Sequence, residues 1–417
     1  MGGNGSKVVA KGASSANLCG RRLGDDGAAS LSQDLKHNST LSSLNLSTNG
    51  IGDVGAMALA DALKGNTTLV SIDLSVNKIG AAGAAALADA LKANTALKTL
   101  NLNSNNFLGA GATAIAQGLR TNTTLSVLHL GSNDIGDSGA AALAAALTTN
   151  TALTSMDLCA NGIAVVGAAA LADALKVNTV LSSLNLWSNR IGDFGGVAIA
   201  AALECNNTLA TLILDENGMG CDVGRALADA LKKNVALTSL HLRSNAMGHD
   251  GIRAISDALA TNTRLTALML DGNGIRFCDW LAVSLESNMT LTSLSLSCNY
   301  LGNAGAAAMS GALLGNSTLT TLDLRHNGIS LKGAVALADA VYANTALTAL
   351  HVDHPLFAAK DGKAYKALKR NARAPAQREA AALAWLLLHG AACGVAPPNV
   401  VVSTLAALRP RTGSSML

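Results

Sequence analysis

The chain has 417 residues, a net charge of +3 from 30 Lys and Arg against 27 Asp and Glu, and only 2% aromatic residues. So small a charge over this length, with so few rings for bases to stack on, argues against nucleic-acid binding. No run of 18 apolar residues occurs, so no membrane-spanning helix is expected. Seven cysteines, at 19, 159, 205, 221, 278, 298 and 393, form no CxxC pair, which argues for reduced thiols in the cytoplasm over a zinc ribbon or a disulfide framework.

Residues 1–12, MGGNGSKVVAKG, are glycine-rich and expected to be disordered. Met1-Gly2-Gly3-Asn4-Gly5-Ser6 fits the N-myristoylation pattern, with Gly2 as the acceptor amine once the methionine is removed. One acyl chain gives reversible membrane attachment, which Lys7 and Lys11 would favour on anionic lipid. The plainer alternative is a flexible terminus that matches by chance.

Ala16 to Asn38 reads as a degenerate first repeat. Leu18 and Leu23-Gly24-x-x-Gly27 keep the frame, but Arg21 stands where the next repeat has Asn49. An end repeat needs a face that water can wet, so this departure reads as capping. The repeat is clearest around Leu69 to Ala96. In Leu69-x-x-Ile72-x-Leu74-x-x-Asn77 the apolar positions alternate with polar ones, the mark of a short strand with one buried face. Asn77 follows where the chain bends, and its amide is expected to satisfy backbone groups there. Ile79-Gly80-x-x-Gly83 reads as a turn, and Ala84 to Leu91 as an alanine-rich helix that sends Leu87 and Leu91 to the core. The pairs Asp61/Lys64, Asp89/Lys92, Asp173/Lys176 and Asp229/Lys232 read as solvated salt bridges on the outer helix face.

The asparagine recurs every 28 residues from Asn49 to Asn273, then at Asn299 and Asn327. This period, the IGxxGAxALAxAL helix and the NTTL or NTAL link resemble the ribonuclease-inhibitor-like class of leucine-rich repeats, which is shared with NOD-like receptors and Ran GTPase-activating proteins. The resemblance spans roughly residues 16–355. It implies an α/β leucine-rich-repeat solenoid, a horseshoe with a parallel concave sheet, convex helices and a helical C-terminal cap. The matching residues are the structural ones, so no catalytic residue carries over. Sequon-like triplets at Asn66, Asn122 and Asn316 belong to the link and are not read as glycosylation sites.

Residues 13–355 are therefore expected to form one domain of about twelve 28-residue repeats, the degenerate first included. Twelve strand signatures run from Leu41 to Val352, with an ill-formed one before them. The position after the second strand leucine faces the concave side. It reads Ser47, Ser75, Asn103, Gly131, Cys159, then Trp187, Asp215, Arg243, Asp271, Ser297, Arg325 and Asp353. The first half is bland, and the second stacks a tryptophan and alternating charges. Trp187, Asp215, Glu216, His241, Arg243, Asp271 and Arg325 are the expected contacts for a protein partner, with Trp187 taken as a solvent-facing anchor. A self-paired cross-strand charge ladder is the alternative.

His326 and His354, near His351, Asp323 and Asp353, form a conceivable zinc cluster, read instead as solvated histidines, and no metal or cofactor is expected. The one break in period, Asn273 to Trp280, predicts a shortened turn with Phe277 and Trp280 filling the space. All five prolines lie at or after Pro355, so residues 356–417 are expected to be a helical cap and tail. Between Lys360 and Arg378 seven basic residues face Asp361 alone. They read as a charged face of a capping helix, with contact to an acidic partner or membrane lipid as the alternative. Ala380–Leu388 and Val400–Leu408 are apolar segments able to cover the last repeat.

The sequence holds no nucleophile elbow, P-loop or HExxH motif. The expected function is a non-enzymatic, monomeric, cytoplasmic scaffold or adaptor that binds a protein on its concave face, with peripheral membrane tethering through Gly2. GTPase activation toward Ran or a relative is the alternative, although the basic, apolar C-terminus departs from that family's acidic tail. A sensor-like protein related to NOD-like receptors ranks third.

Overall fold

A computed structural model describes residues 12–358 and 362–372. The chain opens with β1 (Ser15–Asn17), α1 (Gly24–Lys36), β2 (Ser43–Asn45), α2 (Asp53–Gly65), β3 (Ser71–Asp73) and α3 (Ala81–Ala93). It continues through β4 (Thr99–Asn101), α4 (Leu108–Leu119), β5 (Val127–His129), α5 (Gly136–Leu147), β6 (Ser155–Asp157) and α6 (Val165–Val177). Next come β7 (Ser183–Asn185), α7 (Gly192–Leu203), β8 (Thr211–Ile213), α8 (Cys221–Lys233), β9 (Ser239–His241) and α9 (Gly248–Leu259). The last repeats are β10 (Ala267–Met269), α10 (Asp279–Ser287), β11 (Ser293–Ser295), α11 (Gly302–Gly315), β12 (Thr321–Asp323) and α12 (Leu331–Ala343). They end in β13 (Ala349–His351), α13 (Pro355–Ala358) and α14 (Lys363–Asn371).

The strands form one 13-stranded parallel sheet in sequence order. The ill-formed signature before Leu41 is a true strand, because β1 pairs with β2 in the same register as the rest. At about 4.8 Å per strand, the sheet edge runs on the order of 58 Å. The repeat leucines, among them Leu69, Ile72, Leu74, Leu87 and Leu91, fill a continuous core between sheet and helices. The helix around Leu87 starts three residues earlier than the sequence predicts, at Ala81.

Two asparagine ladders bind the repeats. Asn77 Nδ2 donates to the carbonyls of Leu46 and Leu74, and its Oδ1 accepts the N–H groups of Asn49 and Ile51, each at 3.0 Å. The bend asparagine thus satisfies the repeat before it as well as its own. The second ladder uses the link asparagines. Asn66 Nδ2 donates to the Leu35 carbonyl at the end of α1, while its Oδ1 accepts Leu69 N–H at 2.8 Å. Asn122 and Asn316 repeat this arrangement and are buried, so the sequon-like triplets are structural.

Apart from α10, which starts from Cys278, the helices α2 to α12 start in two forms, set by the preceding repeat. Where that repeat carries Asp25, Asp53, Asp137, Asp193 or Asn303, the residue before the next helix is extended and donates its N–H to that side chain. After α3, α4, α6, α8 and α10, which offer no such acceptor, the following helix starts from a right-handed residue and a left-handed one. The left-handed residue is usually glycine, as at Gly136 with φ 60°, because a side chain there is strained. These side chains, four carboxylates and one amide, therefore act as N-caps in trans, reaching 27 to 30 residues ahead.

The break in period yields a nine-residue α10. Ile275 and Cys278 fill the core there, whereas Phe277 is exposed, against the expectation that it fills space. Past Pro355 the repeat's geometry continues: Asn371 Nδ2 donates to the carbonyls of Asn344 and Leu347, and Arg370 donates to Asn344 O at 2.7 Å. α14 thus closes both the ladder and the end of α12. Its Lys363, Lys366 and Lys369 point to solvent while Ala364 and Ala367 are buried, the charged capping face expected. Residues 1–11, with Gly2, and the apolar segments after 372 lie outside the described residues.

Candidate interaction face on the concave sheet

Each strand presents three inward columns, read from the first, third and fifth residues of the stretch that begins at Ser183, Asn185 and Trp187 in β7. The expected contacts gather on β7 to β12, but the charges among them are largely bound to one another. Arg243 Nε donates to Asp271 Oδ2 at 2.8 Å, and Arg243 N–H donates to Asp215 Oδ1 at 2.7 Å. Asp271 also accepts the hydroxyls of Ser295 and Ser297, and the Ser297 N–H at 3.0 Å. Arg325 forks onto buried Asp323, with its Nε 3.0 Å from Oδ2. The Arg243–Asp271 pair crosses between neighbouring strands, as the ladder weighed from sequence requires, whereas the Arg325–Asp323 pair joins residues two apart on one strand stretch.

Burial sets the electrostatics. Desolvation, with the Asp271 and Glu216 charges, pushes the Asp215 carboxyl up to about 6 despite the Arg243 N–H and guanidinium. His241 is buried, its Nε2 3.0 Å from Ser239 Oγ, and burial followed by the Arg243 charge lowers it to about 4. It is thus a neutral imidazole at physiological pH. Glu216 is exposed, on a left-handed residue with φ 54°. Trp187 is half-buried, not fully solvent-facing, and its N–H donates to Asn185 Oδ1 at 3.0 Å.

The half of the face that reads as bland holds a second polar cluster. His129 Nδ1 lies 3.7 Å from Asp157 Oδ2, to which Asn103 Nδ2 also donates at 3.3 Å. Cys159 N–H donates to Asp157 Oδ1 at 3.1 Å. Burial raises the Asp157 carboxyl, but hydrogen bonds from His129 and from Cys159 outweigh it and hold the group below its usual value. The Cys159 thiol is pushed well up, by burial first and the Asp157 charge second, so it is no activated nucleophile. The available signal was Gly131: a Cβ there would stand 2.5 Å from Cys159 Sγ.

The histidines at the C-terminal edge are used singly. His326 Nδ1 sits 3.1 Å from Asp353, and His354 Nδ1 accepts Leu356 N–H at 3.3 Å. Among the described residues no group of three potential ligands could hold a metal. On the convex side Arg253 lies 5.1 Å above the Trp280 ring, and His249 meets that ring edge-on at 4.3 Å. No helix among the described residues is long and apolar enough to cross a membrane.

A single-layer parallel sheet backed by helices, extended repeat by repeat through inter-repeat hydrogen bonds, defines a solenoid. A family model described as a leucine rich repeat matches residues 37–60, 65–88, 93–116, 121–144, 177–200, 233–256, 287–310 and 315–338. The chain is a leucine-rich repeat protein. Among solved structures it is similar to actin-binding site 2 of leiomodin-1, at 27% identity over 30% of this chain and 76% of that one, with a TM-score of 0.30. It is also similar to an internalin of Listeria monocytogenes, at 22% identity over 82% of this chain and 86% of that one, with a TM-score of 0.48. No curated protein matches.

Proposed function

We propose that the chain is a non-enzymatic scaffold or adaptor that binds a protein partner on its concave face, centred on Trp187 and Glu216. The repeats support an interaction role, and one observation carries the location. Trp187 stands half-exposed beside the Asp215–Arg243–Asp271 network, which holds its charges in place before any partner arrives. Preordered polar groups beside a large ring are what a binding hot spot requires, since little side-chain entropy remains to be lost. Asp215, Arg243, Asp271 and Arg325 serve on this reading as the rigid floor, with His241 beneath it, and Trp187 and Glu216 make direct contact.

The test is quantitative affinity purification from source cells, comparing the wild type with Trp187→Ala. Loss of a specific partner supports the reading, and an unchanged partner list overturns it. Gly2 remains the proposed lipid site, and the exposed lysines of α14 a surface for anionic lipid. A Gly2→Ala variant that stays with membranes to the same extent would remove that proposal.

A further inference from the structure

The outer helix face keeps a strict pattern that breaks at one place. Eight residues before its link asparagine, every helix from α2 to α12 carries alanine except α10, which carries Trp280. Ala254 on α9 and Ala308 on α11 flank it, and both pack partly buried against the core. A ring where the neighbours have a methyl group keeps α9 and α10 from closing over each other. Between them lies a groove of about 250 Å³, lined by Asp257 and Ala260 of α9 and by Trp280, Val283, Ser284 and Ser287 of α10. That volume is too small for a cofactor and suits one long side chain.

The charges around the groove depart from the repeat as well. Asp61, Asp89, Asp173 and Asp229 each pair with the lysine three residues on, at 3.6, 2.7, 2.7 and 3.0 Å. Asp257 stands in the same column, but its lysine is replaced by Ala260, which lines the groove. Arg253, one turn before it, lies instead over the Trp280 ring, 5.1 Å from the centroid. On α10 the column reads Val283 and Glu286. Val283, an apolar residue 65% exposed, stands where the pair has its acid, and Glu286 stands where it has its base. Both carboxylates, Asp257 and Glu286, are exposed, and neither has an ion pair or hydrogen bond with a described residue.

The chain itself shows what such a gap takes up. Asp339 on α12 has also lost its lysine, with Tyr342 in its place, and Lys363 of α14 brings its Nζ to 5.9 Å from the Tyr342 ring centroid. Between α9 and α10 no described lysine fills the equivalent gap. We propose that the groove receives a lysine or arginine side chain of a protein partner, its stem along Trp280 and Val283 and its charge on Asp257 and Glu286. The aromatic and aliphatic walls cover the methylene stem, and the carboxylates take the head group. An acidic or phosphorylated segment is repelled by the same two carboxylates. The groove is on the convex side and uses none of the concave residues, so this site and the concave-face reading stand or fall separately.

The test titrates the full chain, labelled with 5-fluorotryptophan, against acetyl-Gly-Lys-Gly-amide, its arginine counterpart and its uncharged norleucine counterpart at low ionic strength. Trp187→Phe, Trp280→Phe and Trp385→Phe assign the three fluorine resonances. The Trp280 resonance should move with both cationic peptides, saturating in the low millimolar range, and stay still with norleucine. The two cationic arms rank lysine against arginine. Asp257→Asn with Glu286→Gln should weaken binding about fivefold. Ala260→Lys restores the pair that four other helices carry, so it keeps the fold, and it should abolish the response. A Trp280 resonance unmoved at about 20 mM peptide, an equal response to norleucine, or a response indifferent to the carboxylate and lysine variants would each overturn the proposal.

Discussion

Asp137 offers a direct measure of the inter-repeat caps. Its Oδ1 accepts Ala164 N–H at 2.7 Å and Gly167 N–H at 2.9 Å, both in the repeat that follows. In Asp137→Ala the start of α6 loses both acceptors. The alternative helix start used by α7 puts Gly192 at φ 59°, but the matching residue here is Ala164, for which a left-handed backbone costs about 1–2 kcal/mol. Losing an N-cap costs about 0.5–2 kcal/mol by itself. The two routes out of the loss are of similar cost, so a destabilisation of about 2 kcal/mol is expected whichever is taken. Asp137→Asn should recover most of it, because Asn303 fills the same place for Ser330 and Gly333 at 3.0 and 3.1 Å. Urea unfolding followed by circular dichroism gives the loss, and amide hydrogen exchange should localise it to Ala164 and Gly167. A cost below about 0.5 kcal/mol, or an Asn variant as damaged as the Ala variant, would refute the capping argument.

Three further outcomes follow from the same geometry. Asp215, raised to about 6 from 3.8, favours the fold when protonated, so its contribution is full below pH 3.8 and lost as pH rises through 6. His241, lowered to about 4 from 6.5, acts oppositely, its contribution full above pH 6.5 and lost as pH falls toward 4. Each is worth on the order of 3 kcal/mol at most, so they nearly cancel in the wild type. Relative to wild type, Asp215→Asn should lose stability between pH 6.5 and 4, and His241→Gln should gain it; parallel pH curves would contradict both assignments. Asn161→Ala removes the acceptor for the N–H groups of Asn133 and Ile163's counterpart Ile135, and the donor to Leu130 O and Cys159 O, all in a buried site. A loss of about 3 kcal/mol or more by urea unfolding is expected, and near-neutrality would mean the ladder is dispensable. Finally, a scaffold should leave GTP hydrolysis by Ran and its relatives unchanged at saturating protein, and a stimulated rate would replace the scaffold reading with the GTPase-activating one.

The strands and helices were legible because leucine spacing repeats at both periods a chain can use, two on the sheet and 3.6 on the helix. The surface pairs Asp89/Lys92 and Asp173/Lys176 were legible for the same local reason, and both form at 2.7 Å. The acidic caps were not, although Ile-Gly-Asp recurs plainly, because the group they serve is a repeat further on. The concave residues could be placed by column, but not their pairing, since whether Arg243 turns to Asp271 is a choice between neighbours the sequence does not rank. Phe277 was misread because the shortened turn moved Cys278 into the core in its stead.

The asparagine ladder has a direction. The side-chain oxygens of Asn77, Asn161 and Asn189 accept amides of the repeat before them, whereas those of Asn133, Asn217 and Asn273 accept none. Removing the C-terminal cap takes the Asn371 amide and the Arg370 guanidinium away from the carbonyls of Asn344 and Leu347. Removing β1 and α1 strips Asn49 Nδ2 of Leu18 O yet leaves it Leu46 O and Ser47 O. Removing α1 also takes Asp25 from the N–H groups of Gly52 and Gly55 at the start of α2, so a deletion series loses inter-repeat bonds from either end. By the same logic, lengthening by whole 28-residue units within the array introduces no new kind of bond, and new units would be inserted internally instead of appended at the C-terminal end.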